Sequence, residues 1–98
     1  MSRPAFQLST PAPDTLAVSG ALTFSTASSA LEAGRAELDR GSQGVLDLAG
    51  VTQADSAGLA TVLALLAHAR SKGRTLGVAH APTGLQALAR VSGVDTLL

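Results

Sequence analysis

Between Gly44 and Ala69 the chain passes from an unbroken apolar run to apolar residues at helical spacing, and that passage limits most of what it can fold into. Gly44-Val45-Leu46-Asp47-Leu48 is short, apolar and set between glycines, the pattern of a central strand covered on both faces. Beyond Asp55, the residues Leu59, Val62, Leu63, Leu66 and Ala69 form one core-facing stripe of a helix. That helix closes on Arg70 and Lys72 before Gly73. A buried strand feeding a helix needs a parallel neighbour, because the crossover helix must return the chain to the same end of the sheet.

The flanking segments supply the rest. Phe6-Gln7-Leu8-Ser9 and Thr15-Leu16-Ala17-Val18-Ser19-Gly20 alternate apolar and polar residues across a turn at Pro11-Ala12-Pro13-Asp14, an antiparallel pair near a sheet edge. Ser25 to Arg40 carries Ala27, Leu31, Ala33 or Gly34, and Leu38 on one helical face, and Gly41 stops it. Arg74 to Ala79 predicts a further strand, and Pro82 with Leu85, Leu88 and Ala89 opens a last helix that ends near Gly93. Val94 to Leu98 has no clear pattern. The order predicts an α/β sandwich, a mixed sheet of about four to five strands with helices packed on it. At 98 residues it forms one domain, residues 1–98.

Composition narrows function. Hydrophobic residues make up 46% of the chain and charged residues 14%, which suits a compact core. Seven basic residues balance seven acidic ones, so no positive field draws nucleic acid or an anionic membrane. Two phenylalanines without Tyr or Trp leave little for bases to stack on. Absence of cysteine excludes a disulfide framework and thiolate metal sites. Met1 to Phe6 lacks the apolar stretch of an export signal, and Leu59 to Ala67 is far shorter than a membrane span, so a cytoplasmic location is expected.

The junction Leu48-Ala-Gly-Val-Thr-Gln-Ala-Asp-Ser-Ala-Gly58 carries the candidate site. A helix start leaves N–H groups unpaired and gathers positive partial charge, so Ser56 stands where a phosphate would be electrostatically favoured. The simpler reading is a cap: Asp55 and Ser56 are residue types that accept those N–H bonds, worth about 1 kcal/mol. Gly58 either admits close approach by a partner's backbone or is merely tolerated in a first helical turn.

Gly20-Ala21-Leu22-Thr23-Phe24, Leu46-Asp47-Leu48-Ala49-Gly50-Val51 and Ala54-Asp55-Ser56-Ala57-Gly58-Leu59-Ala60 together resemble the STAS domain of sulfate transporters and anti-sigma factor antagonists. Ala87-Leu88-Ala89-Arg90-Val91-Ser92-Gly93-Val94 through Leu97-Leu98 is similar, more narrowly, to the MlaB-type STAS subunit of the Mla lipid-asymmetry transporter. The resemblance spans almost the whole chain. It implies a STAS-type sandwich without an active site or cofactor, which binds either the ATPase of a phospholipid-transporting ABC complex or a kinase-like anti-sigma factor. Asp55 matches the motif aspartate, Ser56 the hydroxyl and Gly58 the glycine. Some antagonists carry two adjacent hydroxyls, whereas Ala57 stands in the second place here, which favours constitutive docking over a switch.

The expected partner surface comprises Asp55, Ser56, Gly58, Thr61 and Leu65, with Ser56 the candidate phosphorylation site. Leu65 sits beside Thr61 and His68 on the helix flank, either as an exposed anchor or as part of a wide apolar face. His68 and His80 lack ligand-spaced partners, which argues against a metal. Arg70, Lys72 and Arg74 form a small basic run at the helix end that either complements the helix dipole, the favoured reading, or contacts an acidic partner. Asp47 raises the question of a phospho-accepting receiver, but the first two strands bring no acidic residue to hold Mg²⁺. G-x-x-x-x-G-K-[ST] and G-x-S-x-G are absent, and no convergent polar set suggests a small enzyme.

Overall fold

The computed structural model describes residues 5–98. Residues 1–4, the larger part of the N-terminal stretch read above for an export signal, lie outside them. Four strands and three helices follow in the order β1 (Phe6–Ala12), β2 (Thr15–Leu22), α1 (Ala27–Arg40), β3 (Val45–Ala54), α2 (Ser56–Ser71), β4 (Gly77–Ala79) and α3 (Thr83–Val91), with a closing 3₁₀ turn at Asp95–Leu97. The sheet order is β1-β2-β3-β4. β1 pairs antiparallel with β2, while β2 with β3 and β3 with β4 are parallel.

Both parallel crossovers advance in the same direction across the sheet, so right-handed connections lay α1 and α2 on one face. Burial follows. Leu16, Val18 and Leu22 of β2 and Leu46, Leu48 and Val51 of β3 are buried, whereas Ala17, Ser19 and Asp47 are half-buried and Ala49 is exposed. The expected two-sided cover of β3 is thus corrected to one-sided cover. Among the described residues no helix is left for the second face, so the strand alternates as in a half-solvated sheet.

β3 is also longer than its apolar run. The strand continues past Leu48 into the junction as far as Ala54, pairing with β2 through Ser19↔Gly50, Gly20↔Val51 and Ala21↔Gln53. β1 likewise extends through Pro11, where the register shifts between Ser9 and Ala12, a bulge position on an edge strand that a proline tolerates. β4, by contrast, contracts to Gly77–Ala79 from the expected Arg74 to Ala79.

One core joins the sheet to the helices, with Leu16, Leu46, Val62, Ala69, Leu85 and Ala89 wholly enclosed. α2 packs against both α1 and α3. That central position widens its buried face to Leu59, Thr61, Val62, Leu65 and Ala69, leaving Leu63 and Leu66 half-buried. The core stripe is therefore turned toward α1 relative to the sequence reading. Among the described residues no helix is long and apolar enough to cross a membrane.

Candidate functional site

Parallel pairing of Leu22 with Ala54 ends β2 and β3 side by side, so the β2–α1 loop and the start of α2 lie together at the carboxyl edge of the sheet. Asp55 ties them. It caps α2 with an extended backbone, its Oδ1 accepting the Gly58 N–H at 3.0 Å. Its Oδ2 accepts the Phe24 N–H from the neighbouring loop at 3.0 Å. The Phe24 N–H first, and the Gly58 N–H second, hold the Asp55 carboxyl below the usual carboxylate range. Asp55 is thus a brace rather than a free charge.

The loop it braces is itself fixed. Buried Thr26 accepts the Thr23 N–H at 2.9 Å and donates to the Ala21 carbonyl at 3.0 Å, closing a tight turn before α1. Ser56, the first residue of α2, is exposed. Gly58 is buried, and a Cβ there would overlap the Leu22 carbonyl oxygen and stand 2.9 Å from its carbon. The backbone that approaches Gly58 belongs to the chain's own β2, which corrects the expectation of a partner's backbone.

Two further expected contacts are also corrected. Thr61 is 4% exposed and Leu65 is 2% exposed, so neither presents a surface to a partner. Thr61 Oγ1 donates to the Ala57 carbonyl one turn back at 2.9 Å, and Leu65 lies against Gly34 of α1. The structure leaves Asp55 and Ser56 at the surface junction and takes Gly58, Thr61 and Leu65 into the interior.

Phe24 is a further residue of this junction that the sequence reading did not single out. It is 85% exposed, one of two aromatic residues in the chain, and bound through its N–H to the residue preceding Ser56. The available signal was an aromatic placed between a strand and a helix rather than within either.

Three further polar contacts tie scaffold elements together. His68 Nε2 lies 2.8 Å from Asp39 and joins α2 to α1; this hydrogen bond is the leading cause of the lowered Asp39 pKa. His80 Nδ1 lies 3.0 Å from Asp47, whose pKa is lowered first by the Ala49 N–H and then by His80. Arg74 lies past the end of α2, and its Nη1 donates to the Gly41 carbonyl at 2.6 Å, so it links two loops instead of serving a helix dipole. A groove of about 760 Å³ beside β4 is lined by Leu63, Leu66, Leu76, Leu97, Arg70 and Arg74, among others, with no carboxylate side chain or imidazole to act as acid or base.

A family model described as "Mlab, STAS domain" matches residues 6–98. The chain belongs to the MlaB-type STAS family. Its α/β fold is that of SpoIIAA, an anti-sigma factor antagonist. The unphosphorylated form aligns with a TM-score of 0.73 at 15% identity over 95% of this chain and 84% of that one. The Bacillus protein in its phosphorylated form aligns with a TM-score of 0.69 at 15% identity, over 95% and 87%. At that identity the likeness is one of fold. No curated protein matches the chain.

The Asp55 brace in this STAS domain has a consequence for acid stability. Its folded pKa lies below its unfolded value of about 3.9. The stabilisation is therefore complete above that value and is lost as pH falls through the folded one. Asp55→Asn, which keeps one acceptor oxygen but no longer serves both N–H groups, is expected to lower stability at neutral pH. It should also flatten the acid limb below about pH 4. Urea melts across that range test this; an acid limb as steep as wild type would show that the brace is not the titrating element.

Proposed function

We propose that the chain is a non-catalytic cytoplasmic STAS subunit that docks on the ATPase of a phospholipid-transporting ABC complex. It supports assembly and activity of that complex, and through it the maintenance of outer-membrane lipid asymmetry. The observation that carries this reading is the exposed Ser56 at the first position of α2, on a junction held by Asp55. The MlaB-type family match supports the transporter partner. A single hydroxyl followed by half-buried Ala57 suits a permanent contact.

Ser56→Glu tests the surface. An acidic residue at a helix start is favourable for the helix itself, so the variant should melt with wild type. Its co-purification with the ATPase should fall by at least about tenfold, the loss expected from a charge buried unpaired in an interface. Undiminished capture of the ATPase rejects this surface.

The fold shared with SpoIIAA in both phosphorylation states supports a second reading, an anti-sigma factor antagonist switched at Ser56. Incubation with ATP and a kinase-like anti-sigma factor, followed by intact-mass spectrometry, separates the two. Stoichiometric phosphate on Ser56 replaces the first reading by the second.

A further inference from the structure

We infer that Phe24 is the apolar anchor of this docking surface, seated in an uncharged hydrophobic socket on the partner protein; the inference rests on the ATPase-docking reading above. Leaving a phenylalanine 85% exposed forgoes the stabilisation its burial would bring to the fold. In this chain the exposed ring does not hang from a loose segment. Its N–H is bound to Asp55 Oδ2, and the turn beneath it is closed by the buried Thr26 hydroxyl between the Thr23 N–H and the Ala21 carbonyl. Little backbone freedom remains to be lost when a partner covers the ring, so burial converts efficiently into affinity.

The surroundings define the socket. Thr23 and Ser25 share a hydrogen bond of 3.2 Å on the same loop, and Ser56 stands next to the braced aspartate. An exposed ring flanked in sequence by two hydroxyl residues sets an apolar centre beside polar groups, as an interface hot spot does, where the surroundings exclude water while the ring supplies the energy. None of Thr23, Phe24, Ser25 and Ser56 carries a charge, and the Asp55 carboxylate already accepts two internal N–H bonds. The complementary surface is therefore apolar at its centre and able to hydrogen-bond at its edge, with no requirement for a cluster of opposite charge.

The test measures binding of the full chain to the purified ABC ATPase of the same organism's phospholipid transporter. Phe24→Ala is expected to weaken binding by at least about 30-fold, and Phe24→Leu by much less. Val91→Ser is the control. That side chain is 89% exposed, at the far end of α3 from the carboxyl edge of the sheet, and its loss should leave affinity unchanged. Wild-type affinity should change by less than about threefold between about 50 and about 500 mM salt.

If wild type binds and Phe24→Ala binds equally well, or if Val91→Ser weakens binding as much, the anchor assignment falls while the docking reading stands. A steep loss of affinity with salt overturns the uncharged socket. Should wild type not bind the ATPase at all, both readings fall together. If the chain alone dimerises and Phe24→Ala makes it monomeric, the socket belongs to a second copy and the inference is overturned.

Discussion

Gly58→Ala is expected to destabilise the domain on the order of 3 kcal/mol, a fall in Tm of roughly 15 °C for a chain of this size. The added Cβ would overlap the Leu22 carbonyl oxygen, a backbone atom that cannot rotate away. Relief requires the end of β2 and the start of α2 to part. That movement breaks the Leu22↔Ala54 pairing and strains both Asp55 hydrogen bonds. Gly84→Ala is the matched control, because its Cβ meets nothing within 4 Å on α3. Better helix propensity should stabilise that variant by up to about 1 kcal/mol. Thermal melts of the two variants decide the matter, and a Gly58→Ala protein melting within about 2 °C of wild type would show that the contact is not rigid.

Leu65→Ala should cost about 3 kcal/mol, the typical loss when a wholly buried leucine is truncated. It tests the burial of this residue directly, since an exposed partner anchor would change affinity with little effect on the melt. The reverse is expected here: lower stability, with the affinity of the folded protein for its partner unchanged. The space Leu65 fills is bounded by Gly34, where a Cβ would lie 2.7 Å from Leu65 Cδ2. Gly34→Ala alone therefore gains helix propensity but crowds the leucine. Combined with Leu65→Ala, the added methyl occupies part of the vacated volume, so the double variant should be more stable than the sum of the singles by about 1 kcal/mol. Strict additivity would remove the proposed packing of α1 on α2.

These two positions also show how far the residues alone lead. Asp55 and Ser56 were legible because capping is local: a carboxylate and a hydroxyl before an apolar stripe mark a helix start whatever surrounds them. Leu65 was not, because its position on the helical wheel is compatible with either solvent or a neighbour, and only the placement of α1 beside α2 fills that side. Gly58 marked a close approach without naming the backbone involved. Phe24 and Asp55 are far apart in sequence, and nothing local announces that a carboxylate in one loop will receive an N–H from another.

Strand and helix order, the antiparallel start, the parallel crossovers and the family were all determined by the sequence itself, since periodicity, caps and turn residues act over a few neighbours at a time. Tertiary structure alone decided which face of the sheet stays open, which flank of α2 is buried, and that the ends of β2 and β3 bring the Phe24 N–H onto Asp55. Those outcomes depend on crossover handedness and parallel register, which relate segments distant along the chain.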